Sequence, residues 1–467
     1  MTSLSETSML SGASGQSTGY TIDQSILFND DDSAYMTRTF SASNRKTLTF
    51  SCWVKRGNLG TNQNIFGPET SLSGSGTYGV IRINPQNELD IFDYTNGTTN
   101  WRLQSTQLLR DPIAWYHFVF SMDTSNSISS ERLRMYINGQ RVTDFDVETY
   151  PSLNYQGQWN NNLTHQIGAI QRGTSNQYLD GYLAEIHFLD GYAYDPSFFG
   201  EFNSSGIWIP KEYTGSYGSN GFFIDGRDSS DLGDDESGNG NDFTTSGLTA
   251  ADQVLDSPTN NHGVFNNLEK DLRYSTTLSN GNKTINFASG SSGFSCTRLG
   301  LFRSNGQAYA EFKVNQAYSH VNGDGITICV LNDSQDPVSA GGGTGSAKIE
   351  AAYNAIDGSI YDGTSSQGTG TTWNSVNAVI GVYIDFESGK GWFSKDGTVQ
   401  TVNGTPNVNN GTNAHFTFTA NTPLTVGAGG VHFGTPGIVS LQNHVNEWDT
   451  APGGSYTPFS TLAEGEA

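Results

Sequence analysis

Apolar and polar residues alternate with a period of two along much of the chain. Leu48, Phe50, Cys52 and Val54 alternate with Thr47, Thr49, Ser51 and Trp53, the repeat of a strand that buries one face. Comparable strands are predicted over 78–84, 88–94, 115–122, 132–137, 165–169 and 183–189. Gly, Asn and Pro clusters separate them, as at 57–60 and Asn84-Pro85. Asn138-Gly139 directly follows Arg134-Met-Tyr-Ile137 and predicts a tight hairpin, because a type I′ turn needs positive φ at both central positions. No long segment has the 3.6-residue period of an amphipathic helix. A single helical turn is expected near 195–202.

The alternation lapses between 225 and 261. The run from Asp228 to Asp242 holds one apolar residue, Leu232, and reads as a solvated linker closed by Asp256-Ser-Pro-Thr259. A second strand-rich block follows, with strands predicted over 308–314, 325–331, 351–355, 378–385, 390–394, 415–418 and 424–427. The expected organisation is a flexible or assembly arm (1–20), a first sandwich (21–225), an acidic linker (226–262), a second sandwich (263–436) and a weakly patterned tail (437–467). The fold class is all-β, a sandwich in each block.

Composition supports that class and removes several functions. Only 15% of residues are charged, and Ser, Thr, Asn and 56 Gly supply the polarity, which disfavours helix. Aromatics at 12% supply enough apolar area for a folded core. The net charge of −23 opposes non-specific binding to phosphate backbones, and no basic run offsets it, so no nucleic-acid partner is expected. No apolar stretch is long enough for a transmembrane helix, so membrane insertion is not expected. The first twenty residues have no basic-then-apolar leader pattern, so synthesis in a reducing cytoplasm is expected. Cys52, Cys296 and Cys329 lie in apolar stretches and read as buried free thiols.

Three strings of the first block carry a family resemblance: Phe50-Ser-Cys-Trp-Val-Lys-Arg56, Trp115-Tyr-His-Phe-Val-Phe120 and Leu133-Arg-Met-Tyr-Ile-Asn-Gly139. With Ile167-Gly168 and Gly181-Tyr-Leu-Ala-Glu-Ile-His-Phe188, their order resembles laminin-G-like, concanavalin-A-type jelly rolls. In the second block, Ala308-Tyr-Ala-Glu-Phe-Lys-Val314 and Val379–Gly397 resemble a SPRY domain, another concanavalin-like sandwich. The latter string predicts a hairpin: a strand ending at Asp385, a turn through Glu387-Ser-Gly389, a return carrying Trp392 and Phe393 as core anchors, and a second turn at Asp396-Gly397. Asn374-Ser-Val-Asn377 stands where the family has Gly-Asp. The order of the two blocks, joined by Ser237–Phe243 and Asp256-Ser-Pro-Thr-Asn-Asn261, resembles structural proteins of marine tailed bacteriophages. That resemblance implies a virion component of the particle exterior, such as a tail fibre or other surface appendage, with other virion proteins and further copies of itself as partners.

The sharpest enzymatic pattern is Glu88-Leu-Asp-Ile-Phe-Asp93. It is similar to the strand of concanavalin-type glycoside hydrolases. Period two puts Glu88 and Asp90 on one face, and a bulge adds Asp93. A retaining mechanism needs two carboxyls about 5–5.5 Å apart, but the third position here is the shorter Asp. An ordinary strand with Leu89 and Ile91 inward is the plainer reading, so no catalytic residue is assigned. The acidic run Asp228–Asp242 and Asn29-Asp-Asp-Asp32 have the oxygen density that Ca²⁺ uses, yet solvated turns account for both. No His or Cys spacing suits zinc, and Gly341-Gly-Gly-Thr-Gly345 lacks the Lys and helix of a phosphate loop. No metal site is assigned, and Ca²⁺ is the one cofactor these acidic turns suggest.

Glycan binding needs only aromatic faces for C–H stacking and polar groups for hydroxyls. The loops 94–101 and 155–162 have that composition, which nominates Tyr94, Trp101, Tyr155, Trp159 and Asn161 as ligand-binding residues. The competing reading packs Trp101 and Trp159 into the sandwich. Together with the bacteriophage resemblance, these readings imply a non-enzymatic phage structural protein that mediates assembly, with recognition of a host-surface glycan as a secondary expectation. The alternatives are a stand-alone lectin module or a glycan depolymerase.

Overall fold

The computed structural model describes residues 19–69, 76–170, 177–269, 276–287, 294–318, 325–335, 349–431 and 437–461. Most of the predicted arm and the Gly341–Gly345 loop lie outside them. The chain divides into two units, at Asn261 and His262. Each is an antiparallel sandwich built from two large sheets. Among the described residues no helix is long and apolar enough to cross a membrane.

In the first unit, the strand Thr47–Arg56 lies between Trp115–Asp123 and Gly181–Asp190. Its Leu48, Phe50, Cys52 and Val54 enter the core, as the period of two requires. The facing sheet runs Phe145–Thr149, Thr98–Leu108, Glu88–Thr95, Tyr78–Ile83, Gln63–Glu69, Thr164–Ile167, Tyr35–Thr39 and Thr244–Ser246. The hairpin after Ile137 forms with φ of 48° at Asn138 and 77° at Gly139.

One expectation about Thr47–Arg56 fails. Its second face is also buried, with Trp53 1% exposed. The segment between 191 and 225 folds back over that face and packs Phe199 and Tyr213 against Val119, Tyr136 and Leu189. This cover strip contains the predicted helical turn, a 3₁₀ turn at Pro196–Phe198 capped by the Asp195 carboxylate. A short ribbon of Gly200–Phe202 and Trp208–Pro210 follows it.

The predicted linker 226–262 is a correction: residues up to Asn261 belong to the first sandwich. Thr244–Ser246 pairs with Tyr35–Thr39, and Gln253–Val254 pairs with Ser25–Phe28. Leu232 and Phe243 enter the core. Several carboxylates of this stretch are taken up by backbone N–H groups. Asp235 accepts from the backbone N–H groups of Phe223, Ser237 and Asn241. At the end of the stretch, the Lys55 Nζ donates to Asp256 Oδ2 at 2.6 Å and to Asn261 Oδ1 at 2.8 Å, and both ion-pair side chains are fully buried. Trp115 Nε1 also donates to Asp256, at 3.0 Å. Burial pulls the Lys55 ammonium below the usual lysine range, and the Asp256 carboxylate opposes that shift. Asp256-Ser-Pro-Thr-Asn-Asn261 is therefore a latch on the sheet.

The second unit has one sheet around Gln307–Gln316 and Val379–Asp385 and another around Leu424–Val431 and Ile326–Asn332. The hairpin of Val379–Asp385 with Lys390–Lys395 forms as its sequence predicts, Tyr383 opposite Trp392 and Val382 opposite Phe393. Phe393 enters the core, but Trp392 does not. Trp392 lies on the outer face with Tyr309, Tyr383 and Tyr456. The predicted tail is a second correction. Ile438–Gln442 is an inner strand, paired with Thr284–Phe287 and Gln307–Gln316. Residues 443–461 then cover the outer rings. Cys52, Cys296 and Cys329 are buried free thiols.

Candidate functional site

The five nominated ligand residues do not form one site. Trp101 and Trp159 are 0% and 1% exposed and belong to the core, so neither ring can receive a ligand. The reason is register. Trp101 sits opposite Asp93 on Thr98–Leu108, on the inward face, and its ring lies 6.4 Å from that of Trp159. The Tyr155 hydroxyl donates to Asp93 Oδ1 at 2.8 Å, and Tyr155 packs against the core. Tyr94 leans on Tyr78 with ring centroids 4.9 Å apart. Asn161 is half-buried, and its side-chain oxygen accepts from the Asn162 backbone at 2.9 Å. Its neighbour Asn160 is buried and donates to Asn44 O and Asp190 Oδ1. The Asn-rich loop is thus held by its own amides.

The carboxylates of Glu88–Thr95 are occupied as well. Asp90 is fully buried between two guanidinium groups, accepting from Arg82 Nε at 2.9 Å and from Arg102 Nε at 2.7 Å. Both guanidinium groups lie over the Phe92 ring, at 5.0 and 5.6 Å. Glu88 Oε2 accepts from Asn84 and Gln104 at 2.8 and 2.6 Å. Asp93 follows Leu89 and Ile91 on the opposite, core-facing side of the strand. It accepts from Asn100, Tyr155 and the Gln158 backbone, while burial raises its pKa above the usual carboxylate range. The three carboxyls therefore do not converge on one substrate.

The Asn29–Asp32 segment is a capped 3₁₀ turn. Asn29 Oδ1 accepts from the Asp31 backbone, and Asn29 Nδ2 donates to Asp32 at 2.6 Å. Among the described residues, no three His, Cys, Asp or Glu side chains are placed to hold a metal ion.

Sequence reasoning missed a cavity of about 460 Å³ between the cover strip and the Asn138-Gly139 hairpin. Trp208 supports it. Its indole lies against the turn glycine: a Cβ on Gly139 would come within 2.3 Å of the ring, and one on Gly200 within 2.5 Å. Its Nε1 donates to His117 Nδ1 at 3.0 Å, so the His117 proton sits on Nε2, facing Ser51 Oγ at 2.9 Å. Burial holds His117 neutral, with a pKa lowered to about 3. Phe202 meets Trp208 edge-on with centroids 4.9 Å apart, and 47% of Phe202 stays exposed. The rim carries Arg141 and Lys211 together with Asp195 and Glu201. Arg141 pairs with Glu131, Lys211 Nζ donates to Ser197 O at 3.1 Å, and Asp195 caps its turn. Glu201 is the rim carboxylate with no such partner among the described residues. No local motif announces this site, because its residues come from a hairpin and a ribbon sixty positions apart.

Residues 29–193 match the Laminin_G_3 family model, described as the concanavalin A-like lectin/glucanases superfamily. The match falls within the first sandwich. No curated protein matches the chain. Among solved structures, the chain is similar to the SPRY domain of human HERC1, at 16% identity and a TM-score of 0.28 over 38% of this chain and 96% of that one. It is also similar to the heptameric SAP-like pentraxin of Limulus polyphemus, at 17% identity and a TM-score of 0.26 over 37% and 78%. A Bacteroides ovatus protein provisionally named as carbohydrate binding aligns at 15% identity and a TM-score of 0.28 over 49% and 60%.

Proposed function

We propose that this chain is a non-enzymatic structural protein of a tailed bacteriophage particle, displayed on its exterior, and that its first sandwich binds carbohydrate. The observation that carries the carbohydrate reading is the lectin/glucanase-type match over residues 29–193, in a unit that also has an open cavity with an exposed ring. The virion reading draws its support from the order of the two sandwiches and of the Ser237–Phe243 and Asp256–Asn261 strings in the sequence. Partners are then other virion proteins and further copies of the chain.

The occupied carboxylates favour binding over hydrolysis. A retaining hydrolase needs one carboxylate free to attack and another free to deliver a proton. Asp90 is clamped by Arg82 and Arg102, and Asp93 faces the other side of its strand.

Two measurements test this reading. Antibodies to the chain, applied to intact particles of its phage, are expected to label the exterior. Unlabelled particles together with a strictly monomeric chain would overturn the virion reading. A glycan array is expected to retain the chain without shortening the retained glycans. Glycan cleavage that is lost in Glu88→Gln would establish the depolymerase instead.

A further inference from the structure

The cavity under the cover strip combines features that narrow its ligand. An exposed ring, Phe202, stands beside an indole fixed by His117. Charges of both signs ring it: Arg141 and Lys211 against Asp195 and Glu201. A strongly anionic ligand would meet two carboxylates, and a strongly cationic one would meet two cations. A purely apolar ligand would strip water from four charged groups without replacing the hydrogen bonds. What fits is a neutral molecule with one apolar face and hydroxyls at its edge, which both donate and accept. The volume of about 460 Å³ lies within the ~300–1,000 Å³ typical of small-molecule sites.

We infer that this cavity binds a neutral sugar ring, stacked on Phe202, with its hydroxyls donating to the Glu201 carboxylate and accepting from the Lys211 ammonium. This rests on the carbohydrate reading of the first sandwich, and it moves the site away from the loops carrying Tyr94 and Tyr155. Trp208 acts as a positioning residue. Its indole meets the Phe202 ring edge to face and is itself wedged against the Gly139 and Gly200 backbones. The Asn203–Ile207 turn sets the ribbon register, because Asn203 Oδ1 accepts from the backbones of Ser205 and Ile207 at 3.0 and 2.9 Å.

The test uses the full chain on an array of neutral, uronic-acid and sulphated glycans, then calorimetric titration of the best neutral oligosaccharide into variants. Phe202→Ala and Glu201→Gln change side chains that are not buried, so both are expected to keep the wild-type melting temperature. Phe202→Ala is expected to lower affinity about tenfold or more, and Glu201→Gln severalfold. Wild-type binding that survives Phe202→Ala but is lost in Tyr94→Ala would overturn the site and leave the carbohydrate reading standing. Retention of acidic glycans alone would overturn the ligand class. Retention of no glycan would overturn both.

Discussion

Both sandwiches cover the outer face of one sheet with irregular chain, and they do it differently. In the second unit the cover is residues 443–461, and it joins the sheet through its backbone. Thr457 N donates to Gln307 O at 3.0 Å, and Tyr309 N donates to Thr457 O at 2.9 Å. Trp448 and Tyr456 then seat edge-on against Tyr309 and Tyr383, at 4.9 and 5.2 Å. The buried Glu311 carboxylate accepts from the backbones of Asp449 and Thr450 and from the Tyr309 hydroxyl. In the first unit the cover is an internal strip that joins the sheet by backbone only toward its ends, where Gly191 N donates to Thr47 O and Phe222–Ile224 pairs with Gly181–Asp190, and between them it is anchored near the cavity by side chains such as Trp208 on His117. A strip that joins the sheet closes over it. The middle of the first unit's strip, held by rings and not by backbone pairing, leaves space at its edge, and here that space is lined by charges.

Acidification is expected to sharpen the contrast most. His117 and His165 are buried in the first unit, and burial lowers both to about 3. His415 in the second is lowered to about 4. An unfolded histidine takes up a proton near pH 6.5, whereas the folded ones stay neutral, so the unfolded state binds more protons between these values. Stability contributed by the neutral rings is present above pH 6.5 and is lost as pH falls toward 4, by up to about 1.4 kcal/mol per pH unit for each histidine. Denaturant titrations at pH 7 and pH 5 check this. The slope for the first unit should decrease in His165→Gln, and an unchanged slope would remove the assigned cause.

The next effect separates the units. Lys55→Met leaves Asp256 buried without its cation, which costs about 3–5 kcal/mol. Glu311→Ala deprives two backbone N–H groups and the Tyr309 and Thr450 hydroxyls of their acceptor in the second unit, a cost of about 2–3 kcal/mol. Each variant should shift the denaturation of its own unit. Equal shifts of both transitions in either variant would show that the two units do not unfold separately.

The smallest predicted effect lies at the cavity wall. Gly139→Ala forces a Cβ into Trp208 at a residue with φ of 77° and should cost about 1–2 kcal/mol. Sugar affinity should fall with it. Gly97→Ala is also at a turn with positive φ, but its Cβ meets open space, so it should lose stability and keep affinity.

Much of the fold was legible because the strands obey a period of two and the tight turns carry Asn-Gly and Asp-Gly. Asn138-Gly139 and Asp396-Gly397 both adopt the positive φ pair that those dipeptides permit. The acidic stretch misled because composition records charge and not its partners. Asp235 and Asp256 look solvated in the sequence, yet one caps backbone N–H groups and the other pairs with Lys55 two hundred positions away. The tail misled because Ile438–Gln442 is short and finds its neighbours only in the sheet. The glycan loops misled because the sequence places aromatics without saying which way they face. Trp101 points inward because of its register with Asp93, while Phe202, in a stretch without periodicity, stays open.

The most direct test of the central claim is a crystal structure of the full chain with a bound neutral oligosaccharide. A sugar ring is expected over Phe202, with hydroxyls within hydrogen-bond distance of Glu201 and Lys211. Density for the sugar over Tyr78, Phe92 and the Arg82–Asp90–Arg102 cluster, with the Phe202 cavity empty, would contradict it.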